Sequence, residues 1–169
     1  MHDYMILRLK EFISERFKLT QSTKLIYPPK YLNLENDEFF QKLLAGISES
    51  VSIQPEILLD EFGSYLAPLL AGLYKQKGEW NILDLLEYAE KEIHKNNRNK
   101  LTIADPARLK IIRINRLRVE IIYSSPRNLP HLGVGIIKGL ASYLNEKIVV
   151  EMYPLPDHSH LITVEKIVK

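Results

Sequence analysis

The feature that most constrains this chain is a change of hydrophobic period partway along it. Up to about Asn99 the apolar residues recur at three- and four-residue spacings, and after Pro106 they alternate or run together in short β-branched stretches. Within residues 3–17, Met5, Leu9, Phe12, Ile13 and Phe17 fall on one helix face. A second helix is expected from Asp37 to Ser50, with Phe40, Leu43, Leu44 and Ile47 inward. Pro55 suits the start of a third, where a missing N–H costs nothing, and Pro68 within its apolar run predicts a kink or break. Asn81 to Asn96 reads as a further helix, with Ile82, Leu86, Ala89 and Ile93 in register and His94 near its end.

The last third reads differently. Leu109–Ile114 and Leu117–Tyr123 are strand-like runs joined by Asn115-Arg116, the pattern of an antiparallel hairpin. A helix over Pro130–Leu144 follows, then two more strands, Ile148–Tyr153 and Leu161–Val168. Helices, hairpin, helix, hairpin make an α+β fold: an N-terminal helical part and an antiparallel four-stranded sheet with an inserted helix.

Composition excludes several classes of function. The 169 residues suit one domain, and an apolar content of 46% supports a sizeable core. A net charge of +2 is far from that of a nucleic-acid binder. There is no cysteine, so disulfides, thiolate metal sites and cysteine catalysis are absent, and any metal must be held by nitrogen or oxygen. No run of about 18 apolar residues predicts a membrane span. The mixed charges of the N-terminal dozen residues do not form a secretory signal, so a cytoplasmic location is expected.

Tyr123-Ser124-Ser125-Pro126-Arg127 closes the second strand run. Residues two apart on an extended chain share a face, so Tyr123, Ser125 and Arg127 can converge. Two hydroxyls and a guanidinium fork suit carboxylates or phosphates. The alternative is a strand running into a Ser-Pro turn with a solvated arginine. His94 likewise has two readings, a capping histidine near Lys95 and Arg98 or a residue at the edge of the apolar stripe able to present a neutral imidazole to a metal. His158 and His160 can share a strand face but lack a third ligand of fixed spacing, and Gly133-x-Gly135 lacks the context of a phosphate loop. No base stands beside a nucleophile, which argues against an enzyme.

Tyr-x-Ser-x-Arg at Tyr123, Ser125 and Arg127 resembles the propionate-binding signature of the heme nitric oxide/oxygen-binding (H-NOX) family. His94 is the only histidine between Tyr4 and His131, and it lies twenty-nine residues before Tyr123, where that family places its axial ligand. Pro55–Tyr65 and Ile136–Ala141 are similar to further helical stretches of the family. The resemblance implies one sensor domain over residues 1–169, with 1–100 mainly helical and 101–169 carrying the sheet. It implies a b-type heme ligated by His94, with its propionates held by Tyr123, Ser125 and Arg127. Pro106 stands where many relatives have two consecutive prolines, one of them against the heme. The family's distal hydrogen-bonding position falls on Leu132, and Leu9 is expected on the same side. An apolar distal wall implies NO and CO as ligands, not O₂. With no output domain recognisable in these residues, the resemblance implies a separate effector, such as a histidine kinase or a cyclic-dinucleotide enzyme. An interaction module that keeps the fold without heme is the alternative.

Overall fold

The computed structural model describes residues 2–18, 36–73, 80–94 and 107–168. Helix α1 spans His2–Phe17, α2 Asn36–Val51, α3 Pro55–Leu73, α4 Ile82–Tyr88 and α5 Pro130–Tyr143. Strands are β1 Arg108–Arg113, β2 Arg118–Ser124, β3 Ile148–Pro154 and β4 His160–Lys166, all antiparallel to their neighbours in the order β1-β2-β4-β3. The expected α+β architecture with a helix between two hairpins is therefore present.

The apolar residues gather into two clusters. In the helical cluster, Leu9, Phe12 and Ile13 of α1 meet Phe40, Leu44 and Ile47 of α2 and Leu58, Leu59, Phe62 and Leu66 of α3. The sheet cluster joins Val119, Ile121, Ile162 and Val164 to the apolar faces of α4 and α5, and to Ala67 and Ala71 of α3. Helix α3 thus serves both, with Leu58, Leu59, Phe62, Leu66 and Leu70 on the side of the helical cluster and Ala67 and Ala71 on the side of the sheet cluster.

Two expectations about helices are narrowed. Of the kink or break expected at Pro68, the break is absent, since α3 runs continuously from Pro55 to Leu73. Pro68 is exposed, and α3 packs closely on α5 at Asp60, Gly63, Ser64 and Ala67, so tertiary contact offsets the lost backbone hydrogen bond. The helix expected from Asn81 to Asn96 is α-helical only to Tyr88, and Ala89–His94 is a π-helix. Residues 95 and 96 lie outside the described residues.

The α3–α5 contact rests on glycines. A Cβ on Gly135 would lie 2.7 Å from the Asp60 carbonyl carbon, and one on Gly63 would lie 2.7 Å from Ile136 N. A Cβ on Gly139 would meet Ser64 Cα at 2.8 Å. Ser64 Oγ donates to the Gly135 carbonyl at 3.0 Å, and Lys138 pairs with Asp60 across the same crossing. These neighbours are backbone and cannot swing aside. Gly135→Ala is therefore expected to cost about 1–3 kcal/mol or more through overpacking. Gly46→Ala, with open space around it, should be neutral or stabilising by up to about 1 kcal/mol. Urea unfolding of the two variants checks the contrast.

Candidate functional site

The Tyr123 motif sits where the two clusters meet. Tyr123 is buried in the sheet cluster, and Leu129, six residues later, is buried in the helical cluster. The segment between them crosses from one core to the other. Strand β2 alternates cleanly, with Val119, Ile121 and Tyr123 inward, and ends at Ser124.

Ser125 lies past the end of β2 and Arg127 lies in a turn, which corrects the reason expected for their convergence. The Asn128 N–H donates to the Ser125 carbonyl at 3.1 Å, closing a turn with Pro126 and Arg127 at its centre. Proline presets the backbone at that first central position. Asn128 takes a φ of 47°, a left-handed conformation that asparagine tolerates better than most residues. The Arg127 N–H donates to Ser125 Oγ at 3.2 Å, so the serine side chain braces the turn. On α2, Gln41 Nε2 donates to the Arg127 carbonyl at 3.5 Å and links the loop to the helical part.

The Tyr123 hydroxyl is within hydrogen-bonding reach of the Ser125 side chain and the Leu129 backbone, and it feels the Arg127 charge. Burial nevertheless dominates and pushes the phenol above its usual range, while those three neighbours pull it down. Ser125 and Arg127 are half-buried, with Arg127 Nε shielded from solvent. Hydroxyls and a guanidinium gathered at the junction of two apolar cores fit the carboxylates of an otherwise apolar group, such as heme propionates.

Other candidate residues fall as follows. Leu9 is fully buried in the helical cluster, with Leu132 half-buried against it. The backbone of His94 closes the π-helix, which packs against β1, while the His94 side chain lies outside the described residues. Pro106 also lies outside them. His131, in the first turn of α5, is half-buried. His158 sits on an exposed turn with a φ of 64°, and His160 pairs in register with Tyr123. No three potential metal ligands cluster among the described residues.

Contacts across the sequence were missed. Asn81-x-x-Asp84 is a legible capping signature, and both halves of the capping box form. The salt bridges from Arg113 to Asp84 and Glu87 had no local signal.

Because burial raises the Tyr123 phenol, the neutral form is favoured in the folded state. Its contribution to stability is fully present below the unfolded value of about 10 and is lost as pH rises through the higher folded value. The urea midpoint of the wild-type protein should fall between about pH 8 and pH 11 more steeply than that of Tyr123→Phe, which has no phenol to ionise.

The family model described as Haem-NO-binding matches residues 30–152. The fold is similar to that of the Fe(II) unliganded H-NOX protein from K. algicida, with a TM-score of 0.78 and 17% identity, covering 100% of this chain and 98% of that one. An H-NOX protein from S. oneidensis in the Fe(II)NO ligation state gives 0.77 at 13% identity, covering 97% and 98%. An oxygen-binding H-NOX domain related to soluble guanylate cyclases gives 0.75 at 16% identity, covering 99% and 96%. No sequence among curated proteins matches the chain. With the family model spanning most of its length, and the motif turn folded at the junction of its two cores, the chain belongs to the Haem-NO-binding (H-NOX) family, whose cofactor is heme.

Proposed function

We propose that this protein is a heme-based gas sensor that takes NO and CO and passes the signal to a separate protein. The observation that carries the reading is the Tyr123–Ser125–Arg127 turn, a set of carboxylate-binding donors at the boundary of two apolar cores, in a chain of this family. Tyr123 and Ser125 would offer hydroxyls to the propionates and Arg127 its guanidinium, whose planar donors match carboxylate geometry. His94 would ligate the iron through a neutral imidazole nitrogen. Pro106 would press on the macrocycle from the chain that leads into β1.

Bound ferrous heme would supply the open coordination position at which a diatomic gas is taken. Leu9 and Leu132 would line that side. Neither carries a hydrogen-bond donor, and a polar bound ligand such as O₂ gains little from an apolar wall. That chemistry favours NO and CO.

Signalling requires that the gas bind two conformations with different affinity. Helix α3, shared between the cores, supports a movement of the helical part against the sheet as the difference between them. The effector is a separate protein, for which a histidine kinase or a cyclic-dinucleotide enzyme is the candidate class. No helix among the described residues is long and apolar enough to cross a membrane.

The test is the visible spectrum of the reduced protein, expressed with heme precursor available, before and after NO. A Soret band that shifts with NO and is lost in His94→Ala is the expected outcome. A protein that stays colourless after reconstitution with heme would overturn the sensor reading and leave an interaction module on the same fold.

A further inference from the structure

Arg113 ends β1 opposite Val119, a residue of the sheet cluster, and its side chain crosses to α4. Its Nε donates to Glu87 Oε1 at 3.2 Å, and its Nη2 donates to Glu87 Oε2 at 3.1 Å. The same Nη2 donates to Asp84 Oδ1 at 2.6 Å. The side chains are 28–37% exposed, so this is a half-buried fork and not a loose surface pair. Glu87, ahead of Asp84, holds the guanidinium above even its ordinary high range.

Asp84 has a second task. Its Oδ2 accepts from the Asn81 N–H at 3.3 Å and closes the capping box of α4. Glu146, between α5 and β3, accepts from the Ile82 N–H at 3.0 Å and from Lys166 of β4 at 3.0 Å. The first two turns of α4 are thereby tied to β1, to β4 and to the end of α5. All of these ties are made upstream of Tyr88. Immediately beyond it the helix widens into the π segment that ends at His94. Such segments are rare and are frequently found at functional sites.

We propose that Arg113 is a positioning residue for the axial ligand. By fixing Glu87 it sets the direction in which the π segment leaves α4, and so how His94 meets the iron and how readily it lets go. The inference rests on the sensor reading above and deepens it. His94 lies seven positions beyond Glu87, mostly in the π segment, so at most about 10 Å of helix at an α-helical rise. A tilt of about 6° at Glu87 then moves the ligand by up to about 1 Å, several times the tolerance of roughly 0.2 Å that a metal–ligand bond allows. The bidentate fork resists such a tilt, because it fixes orientation as well as distance. A lysine retains the charge without the fork.

The experiment compares Arg113→Lys, Arg113→Met and Glu87→Gln with the wild-type protein, and with Lys42→Met as a variant that breaks an exposed ion pair within α2. The iron–histidine stretching band of the reduced protein is read by resonance Raman spectroscopy, loss of the His94 bond on NO addition by its visible spectrum, and stability by urea midpoint. The expected result is a displaced or broadened iron–histidine band and a several-fold faster loss of the His94 bond in the Arg113 and Glu87 variants. Arg113→Lys should not restore the wild-type band, and Lys42→Met should leave it unchanged. A lower urea midpoint with an unmoved band and unmoved NO kinetics would overturn the proposal and leave Arg113 a structural tie. Arg113→Lys and Glu87→Gln keep the test open if Arg113→Met does not fold. A wild-type protein without a Soret band would overturn the sensor reading itself, and the positioning role with it.

Discussion

Helix α3 can belong to two cores at once because α5 lies against it at backbone distance, with glycine at Gly63, Gly135 and Gly139 where a methyl group would collide. A helix normally commits one apolar stripe to one neighbour. Here Leu58, Leu59, Phe62 and Leu66 face α1 and α2, while Ala67 and Ala71 face the sheet side. The close crossing with α5, at Asp60, Gly63, Ser64 and Ala67, holds the helix between them. Because α5 begins immediately after the Tyr123 motif and leads into β3, the same crossing also sets where the motif loop lies relative to both cores.

That placement explains the character of the site. Tyr123 is anchored on a strand in one core and Leu129 is anchored in the other, so the intervening turn is fixed at both ends and its polar groups gather at the boundary. Donors held in this way need little reorganisation to receive a carboxylate, which is how a binding site keeps its ordering cost low. Two ties brace the turn: Gln41 from α2 and the internal bond from Arg127 to Ser125.

Much of the secondary structure was legible because local periods dominate it. The α1 stripe of Leu9, Phe12 and Ile13 and the β2 alternation of Val119, Ile121 and Tyr123 are local patterns, and both came out as read. Where the local pattern fell short, the cause is shared: a break at Pro68 and a regular α-helix through Ala89–His94 follow from local propensity, yet the first lies in a helix held by α5 and the second in a segment packed on β1. The convergence of Tyr123, Ser125 and Arg127 was expected for a different reason, since a strand and a turn can both bring alternate side chains together. The Arg113–Glu87 pairing spans 26 residues and leaves no periodic trace.

By itself the sequence determined the class of fold, the order of its elements and the residue types at the candidate site, because hydrophobic period, proline placement and motif chemistry act over a few residues. It also determined that no metal can be held by thiolate, since there is no cysteine. The tertiary structure decided the strand order β1-β2-β4-β3, the division of α3 between two cores, the π turn before His94 and the fork that ties α4 to the sheet. Each of these depends on free energies summed over segments distant in the chain, where packing and paired charges outweigh the small preferences that a local reading can see.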